Sequence, residues 1–127
     1  MMKLECWLPE KEMFGKFSLD SITARGDKLT VVASNEVLEF TILFDGGVGA
    51  YRVAERARSI DRIEKLRAEY GVSMRGTTFF KLTGSRFAQR FGAPGDKHYF
   101  IAAPNYTVDI LARKEPAVAL DMSPARR

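Results

Sequence analysis

Residues 36–55, EVLEFTILFDGGVGAYRVAE, decide the fold. They predict two β-strands joined as a hairpin at Gly46-Gly47. In the first strand, apolar side chains recur every second residue and therefore share one face. They are Leu38, Phe40, Ile42 and Phe44. The opposite face is mixed, as is typical of an antiparallel sheet covered on one side. We expect the apolar face to be a central part of the core.

The segment after this stretch has the periodicity of an amphipathic helix over about residues 56–70. Its apolar positions fall within an arc of about 120°. They are Ile60, Ile63, Leu66 and Tyr70. Gly71 is predicted to end the helix as a left-handed cap, and Ser59 is a candidate N-cap for a later start. The helix also carries five Lys and Arg residues with acids between them, which favours a solvated face.

A second hairpin is predicted over residues 98–112, with Pro104-Asn105 as its two-residue turn. The turn length fixes which residues face each other. In this register, His98 and Asp109 lie on one face of the hairpin. The other face is apolar and carries Tyr99, Ile101, Val108 and Ile110.

Shorter signals complete the predicted fold. Strand patterns occur near residues 4–8, 14–24, 29–33, 78–82 and 113–120, and Ser85 is a candidate N-cap for a short helix over about residues 85–91. Phe87 and Phe91 of that helix are expected to pack on the sheet. The fold class is therefore α+β: one domain, residues 1–127, mostly antiparallel sheet with helices on one face. Residues 121–127 are expected to form a frayed tail.

The composition narrows the classes of protein. The chain has 127 residues, a formal charge of +4 and one cysteine, so an internal disulfide is excluded. The N-terminus lacks the apolar region of a signal peptide, and no stretch is long and apolar enough for a membrane helix. These features favour a cytoplasmic protein of bacterial type that does not insert into membranes.

Few residues have the spacing of a catalytic or metal site. One histidine and one cysteine exclude clusters of these residues as zinc ligands, and no phosphate-binding glycine loop is present, so no cofactor is expected. A hydrolytic site would depend on His98, with Asp109 to orient it and Ser85 or Ser59 as the nucleophile. A polar pair on a sheet surface is the simpler interpretation of His98 and Asp109.

The segment 79–91, FFKLTGSRFAQRF, interleaves Phe with Lys and Arg. Aromatic and basic side chains in alternation are typical of nucleic-acid surfaces. Exposed Phe and Arg are also common anchors at protein interfaces. Phe residues at helical spacing are more often part of the core, so the segment does not by itself select a function.

Several short motifs between residues 36 and 118 resemble a group of small bacterial proteins, some of them similar to the immunity proteins encoded beside secreted polymorphic toxins. The motifs are Phe44-Asp45-Gly46-Gly47-Val48, Ala50-Tyr51-Arg52-Val53, Lys81-Leu82, Ser85, Phe87, Lys97-His98-Tyr99, Ile101, Val108-Asp109-Ile110-Leu111 and Glu115-Pro116. The resemblance implies a protein that neutralises a toxin by binding it, without catalysis of its own.

The leading hypothesis is therefore a non-enzymatic protein that binds another protein, such as a cognate toxin domain. The candidate binding residues are Arg52, Arg86, Arg90, His98 and Asp109. A nucleic-acid-binding or regulatory module is the first alternative, and a small hydrolase using His98 and Asp109 is the second. The sequence leaves the oligomeric state open.

Overall fold

The computed structural model describes residues 2–74 and 76–123. Within these residues the strands are β1 Lys3–Cys6, β2 Ser18–Arg25, β3 Lys28–Ser34, β4 Leu38–Asp45, β5 Val48–Glu55, β6 Phe79–Thr83, β7 Lys97–Ala102, β8 Tyr106–Ala112 and β9 Ala117–Met122. The helices are α1 Arg56–Met74 and α2 Arg86–Phe91, with a 3-10 turn at Lys11–Met13.

The strands form two antiparallel sheets, which confirms the α+β class. A five-stranded sheet has the order β1-β6-β7-β8-β5, and a four-stranded sheet has the order β2-β3-β4-β9. The main hydrophobic core lies between the two sheets, and α1 covers the outer face of the five-stranded sheet. The layers are therefore helix, sheet, sheet.

The apolar face of β4 packs against the larger sheet, as its alternation predicts. Phe40 and Ile42 are fully buried and Phe44 is almost so, whereas Leu38 is partly buried. Phe40 makes edge-to-face contact with Phe17 at a ring-centre distance of 5.1 Å. Burial of each such side chain stabilises the fold by roughly 1.5–3 kcal/mol.

The predicted hairpin between β4 and β5 is wrong. β4 pairs with β3 and β9, whereas β5 pairs with β8 in the other sheet. Gly46 and Gly47 have φ values of +83° and +73°, a backbone conformation that glycine adopts without steric cost. The Gly46 amide donates a hydrogen bond of 2.8 Å to the Asp27 carbonyl. The Arg113 amide donates one of 2.9 Å to the Gly47 carbonyl. The glycines therefore turn the chain from one sheet to the other.

Helix α1 begins where the sequence predicted, at about residue 56, but it ends later than predicted, and Ser59 is not its N-cap. It begins at Arg56, so Ser59 lies inside the helix and is buried. It continues beyond Gly71 to Met74, with a kink where Tyr70 has φ −122° and ψ 19°. Ile63 and Leu66 are buried as expected, but Ile60 is exposed because the buried face is rotated towards Ser59.

The predictions for α2 are confirmed except at one residue. Ser85 is the N-cap, and its hydroxyl accepts a hydrogen bond from the Ala88 amide at 3.1 Å. Phe87 is buried, but Phe91 is 54% exposed and does not pack on the sheet as predicted. Phe91 is the last residue of this six-residue helix, and its ring contacts that of Phe87 at a ring-centre distance of 5.3 Å.

The β7–β8 hairpin has the predicted register, in which Ile101 pairs with Val108. Strand β9 includes Asp121 and Met122, two residues assigned to the tail by the sequence, and Ser123 is buried. The rest of that tail, residues 124–127, lies outside the described part. In the described residues, no helix is long and apolar enough to cross a membrane.

Candidate functional site

A network of buried polar side chains lies between the five-stranded sheet, α1 and α2. Asp109 of β8 is at its centre. Arg52 of the neighbouring strand β5 is directly opposite Asp109 in the sheet. His98 of β7 lies on the same face, two residues before Phe100, the residue that pairs with Asp109. Helix α1 supplies Arg62 from above, and the start of α2 supplies Ser85.

The Asp109 carboxylate accepts four hydrogen bonds. Arg62 binds it with both terminal nitrogens, Nη1 to Oδ2 and Nη2 to Oδ1, each at 2.7 Å. Arg52 Nε donates to Oδ2 at 2.9 Å, and His98 Nε2 to Oδ1 at 2.6 Å. This bidentate geometry is the strongest form of an Arg–carboxylate pair.

These contacts decide the charge of Asp109. Burial by itself raises the pKa of the carboxyl group, but hydrogen bonds from Arg62, His98 and Arg52 outweigh it. The pKa of Asp109 therefore lies well below its usual range, and the group is ionised at neutral pH. A buried carboxylate without such partners would be strongly unfavourable.

His98 connects this carboxylate to α2. Because Asp109 is ionised, His98 Nε2–H is the donor to it, and in the neutral imidazole Nδ1 is left as an acceptor. The Ser85 hydroxyl lies 2.6 Å from Nδ1 and donates to it in this tautomer. The same hydroxyl oxygen accepts the Ala88 amide hydrogen. The chain of donors therefore runs from the α2 backbone through Ser85 and His98 to Asp109.

Ser85, His98 and Asp109 match a hydrolytic triad in composition, but two features argue against that role. Ser85 is only 4% exposed, so its oxygen offers little access to a substrate. The oxygen also accepts a backbone amide hydrogen as the helix cap, an interaction that lowers its nucleophilic character. The arrangement is better suited to joining β7, β8 and α2.

Above the network lies a groove of about 680 Å³ with basic walls. We call it the basic groove, and its principal wall residues are Arg52, Arg62, Lys65, Arg86, Phe87 and Gln89. The side chains of Arg52 and Arg62 are 49% and 31% exposed although both bind Asp109. Among the described residues, Lys65 and Arg86 form no ion pair. Glu69 is the one acidic side chain in the wall.

Aromatic rings hold two of these arginines in place. The Arg52 guanidinium carbon lies 4.4 Å from the centre of the Phe87 ring, and that of Arg62 lies 4.4 Å from the centre of Phe100. Such cation–π contacts restrict the side chains without using all their N–H donors. The basic groove thus presents positive charge in a fixed geometry.

The structure brings three of the five candidate binding residues together. Arg52, His98 and Asp109 belong to the network, and Arg86 lines the groove above it. Arg90 is separate, since it lies over Phe91 and not in the groove wall. His98 and Asp109 are each 1% exposed, so neither side chain offers a contact surface of its own. Asp109 fixes Arg52 and Arg62, and His98 bonds to Asp109 and Ser85.

Sequence reasoning missed Arg62, because it treated the arginines of α1 as one solvated face. A signal was present in the sequence. Asp109 interrupts the apolar run Val108-Asp109-Ile110-Leu111, and a carboxylate in a buried strand needs a cationic partner. The helix that follows β5 was a natural source of that partner.

No group of three or more His, Cys, Asp or Glu side chains in the described residues is arranged to hold a metal ion. Comparison with protein-family models, curated proteins and solved structures gives no significant match to the chain. The resemblance to immunity proteins therefore stays a prediction from short motifs.

Proposed function

We propose that this chain is a non-enzymatic, cytoplasmic binding protein whose basic groove holds an acidic part of a partner protein. Within this class we favour an immunity protein that neutralises a cognate toxin domain by direct binding. The observation that supports the proposal is the contrast between the buried and the exposed groups of the site. Ser85, His98 and Asp109 form a hydrogen-bonded chain in the interior, while the exposed side chains of the groove wall are mainly cations.

Charge complementarity selects the partner's chemistry. Lys65 and Arg86 have no carboxylate partner among the described residues. The bond of Arg52 to Asp109 uses Nε, which leaves its two terminal nitrogens without a hydrogen bond to a described residue. Carboxylates of Asp or Glu match these donors, and Arg is enriched at the energetic centres of protein interfaces. An acidic segment is therefore the best fit.

The test is co-expression of the chain with the product of the neighbouring gene, followed by a measurement of the dissociation constant. The variant that removes two groove charges is Lys65→Gln with Arg86→Gln. Its matched control is Arg58→Gln with Arg90→Gln, which removes the same charge from the same two helices at exposed positions outside the groove. We expect the groove variant to bind at least tenfold more weakly and the control to bind as the wild type does.

The outcomes separate the three functions. Equal weakening by both double variants, with retention on single-stranded DNA that falls steeply with salt, would favour a nucleic-acid partner instead. Neutralisation of the partner at a one-to-one ratio supports binding. Suppression of the partner by a small molar fraction of the chain would favour catalysis and would contradict the proposal.

A further inference from the structure

A second cavity, of about 710 Å³, lies where the C-terminal half of α1 meets the β7–β8 turn and the residues that precede β6. It is separate from the basic groove except for Glu69, which lines both. Its size is within the range of small-molecule sites. The function proposed above makes no use of it.

Three cations from different parts of the chain line this cavity: Lys16, Arg56 and Arg67. Arg56 is fixed by a hydrogen bond of 2.7 Å from Nη1 to the Ala103 carbonyl. Lys16 follows Gly15, whose carbonyl accepts a hydrogen bond from the Thr78 hydroxyl at 2.9 Å. In the described residues none of the three cations forms an ion pair, and Glu69 is the one acidic side chain in the lining.

The positive charges in the cavity act on one another. Burial and the charge of Arg67 lower the pKa of Arg56. Both causes disfavour the protonated side chain, and no carboxylate of the described residues forms an ion pair with it. An anion bound between Arg56 and Arg67 would be attracted to both guanidinium groups. This attraction would offset the repulsion between them, so binding would be favourable.

Thr77 provides a second, independent indication. It lies in the cavity lining and is 8% exposed, yet its buried hydroxyl finds no hydrogen-bond partner in the described part of the chain. Buried hydroxyls in native proteins are nearly always bonded, so an exception needs an explanation. A ligand oxygen would serve as the acceptor once a local adjustment of the lining exposes this hydroxyl.

We propose that this cavity binds the phosphate group of a small molecule, with Lys16, Arg56 and Arg67 as its charge partners and Thr77 as a hydroxyl donor. A phosphate carries up to two charges and several acceptor oxygens, and so can engage donors from several directions at once. A single carboxylate offers fewer acceptor sites. Tyr70, Met74 and Pro104 give the cavity an apolar wall, which suits the organic part of a phosphate ester.

The test is isothermal titration calorimetry of the full chain at constant ionic strength with three probes: inorganic phosphate, adenosine monophosphate and sodium chloride. Both phosphates are expected to bind, and chloride to give no saturable signal. Tighter binding of the nucleotide than of phosphate would mean that the apolar wall contributes. Equal affinities would mean that the phosphate group is the whole ligand.

Two variants locate the site. Arg67→Gln is expected to weaken phosphate binding about tenfold, whereas Arg58→Gln, which removes the same charge from an exposed position of the same helix outside the lining, is expected to leave it unchanged. Thr77→Val should also weaken binding without lowering the thermal unfolding midpoint, because its hydroxyl makes no bond within the described protein. Absence of saturable binding by either phosphate up to millimolar concentration would overturn the proposal, as would equal effects of Arg67→Gln and Arg58→Gln.

Discussion

Asp109 is the residue on which the polar network depends, because it alone neutralises two arginines and orients His98. Asp109→Asn keeps the size of the side chain but removes its charge. We expect the free energy of unfolding to fall by about 3 kcal/mol, near the lower end of the range for buried ion pairs, since both arginines stay partly exposed. Urea unfolding measures the change.

Asp61→Asn is the matched control, since Asp61 is exposed on α1 and has no ion pair in the described chain. It should change stability by less than about 0.5 kcal/mol. Similar unfolding midpoints for both variants would mean that the buried pairs contribute no more than exposed charges.

Phe40 and Phe91 allow a comparison of the same substitution in two environments. Phe40 is fully buried between the sheets, whereas Phe91 is 54% exposed at the end of α2. We expect Phe40→Ala to cost about 3–5 kcal/mol, from lost burial and the remaining cavity. Phe91→Ala should cost less than about 1 kcal/mol. The free energies of unfolding measured in urea would contradict this assignment if the two costs were comparable.

At the scale of elements, α2 is held to the sheet through its first residues. Ser85→Ala removes the cap of the Ala88 amide and leaves His98 Nδ1 without its donor. We expect a loss of about 1–2 kcal/mol, because both effects act together. Hydrogen exchange at the Ala88 amide should accelerate strongly. An exposed serine of β2 gives the control, Ser21→Ala, which should leave that amide protected.

Gly71 offers a change in the opposite direction. It lies inside α1, its φ is not positive, and an added Cβ would meet no atom within 4 Å. Gly71→Ala should therefore stabilise the protein by about 0.4–1 kcal/mol, mainly through the lower entropy of the unfolded chain. Thermal unfolding should show a higher midpoint. A lower midpoint would mean that the kink at Tyr70 needs the glycine.

Gly92→Ala is the contrasting substitution, since its added Cβ would lie 2.5 Å from the Ala88 carbonyl oxygen, a backbone atom that cannot easily move. This variant should destabilise α2. Gly71→Ala therefore tests the C-terminal part of α1, and Gly92→Ala tests the C-terminal end of α2.

Local patterns predicted most of the elements because their causes are local. The Pro104-Asn105 turn fixed the register of β7 and β8, and Ser85 marked the start of α2. The Gly46-Gly47 connection was misassigned for a physical reason: two glycines with positive φ suit a corner between sheets as well as a hairpin. The choice depends on β9 and β8, which pair with β4 and β5 from far along the chain.

For the whole molecule, alternation identifies which face of a strand is buried but not what covers it. The sequence predicted that His98 and Asp109 share a face, and it could not show that α1 lies over that face. Arg62 and the basic groove arise from this packing, so they follow from the tertiary fold. The sequence therefore predicted only the part of the candidate site that lies within the β7–β8 hairpin, namely His98 and Asp109.

The pH dependence of global stability follows from the same carboxylate. The hydrogen bonds from Arg62, His98 and Arg52 outweigh the effect of burial and lower the pKa of Asp109 in the folded state below its unfolded value of about 3.9. The unfolded chain therefore takes up the proton first as the pH falls. The stabilisation by this group is complete above that value and is lost progressively below it.

The lowered pKa of Asp109 predicts how the difference in unfolding free energy between the wild type and Asp109→Asn depends on pH. The difference in unfolding free energy should narrow as the pH falls below about 4. Other carboxyl groups titrate in the same range, but they are common to both proteins and cancel in the difference. The Asp61→Asn curve should run parallel to that of the wild type throughout. A gap for Asp109→Asn that stays constant down to about pH 2.5 would mean that the Asp109 pairs do not distinguish the folded from the unfolded state.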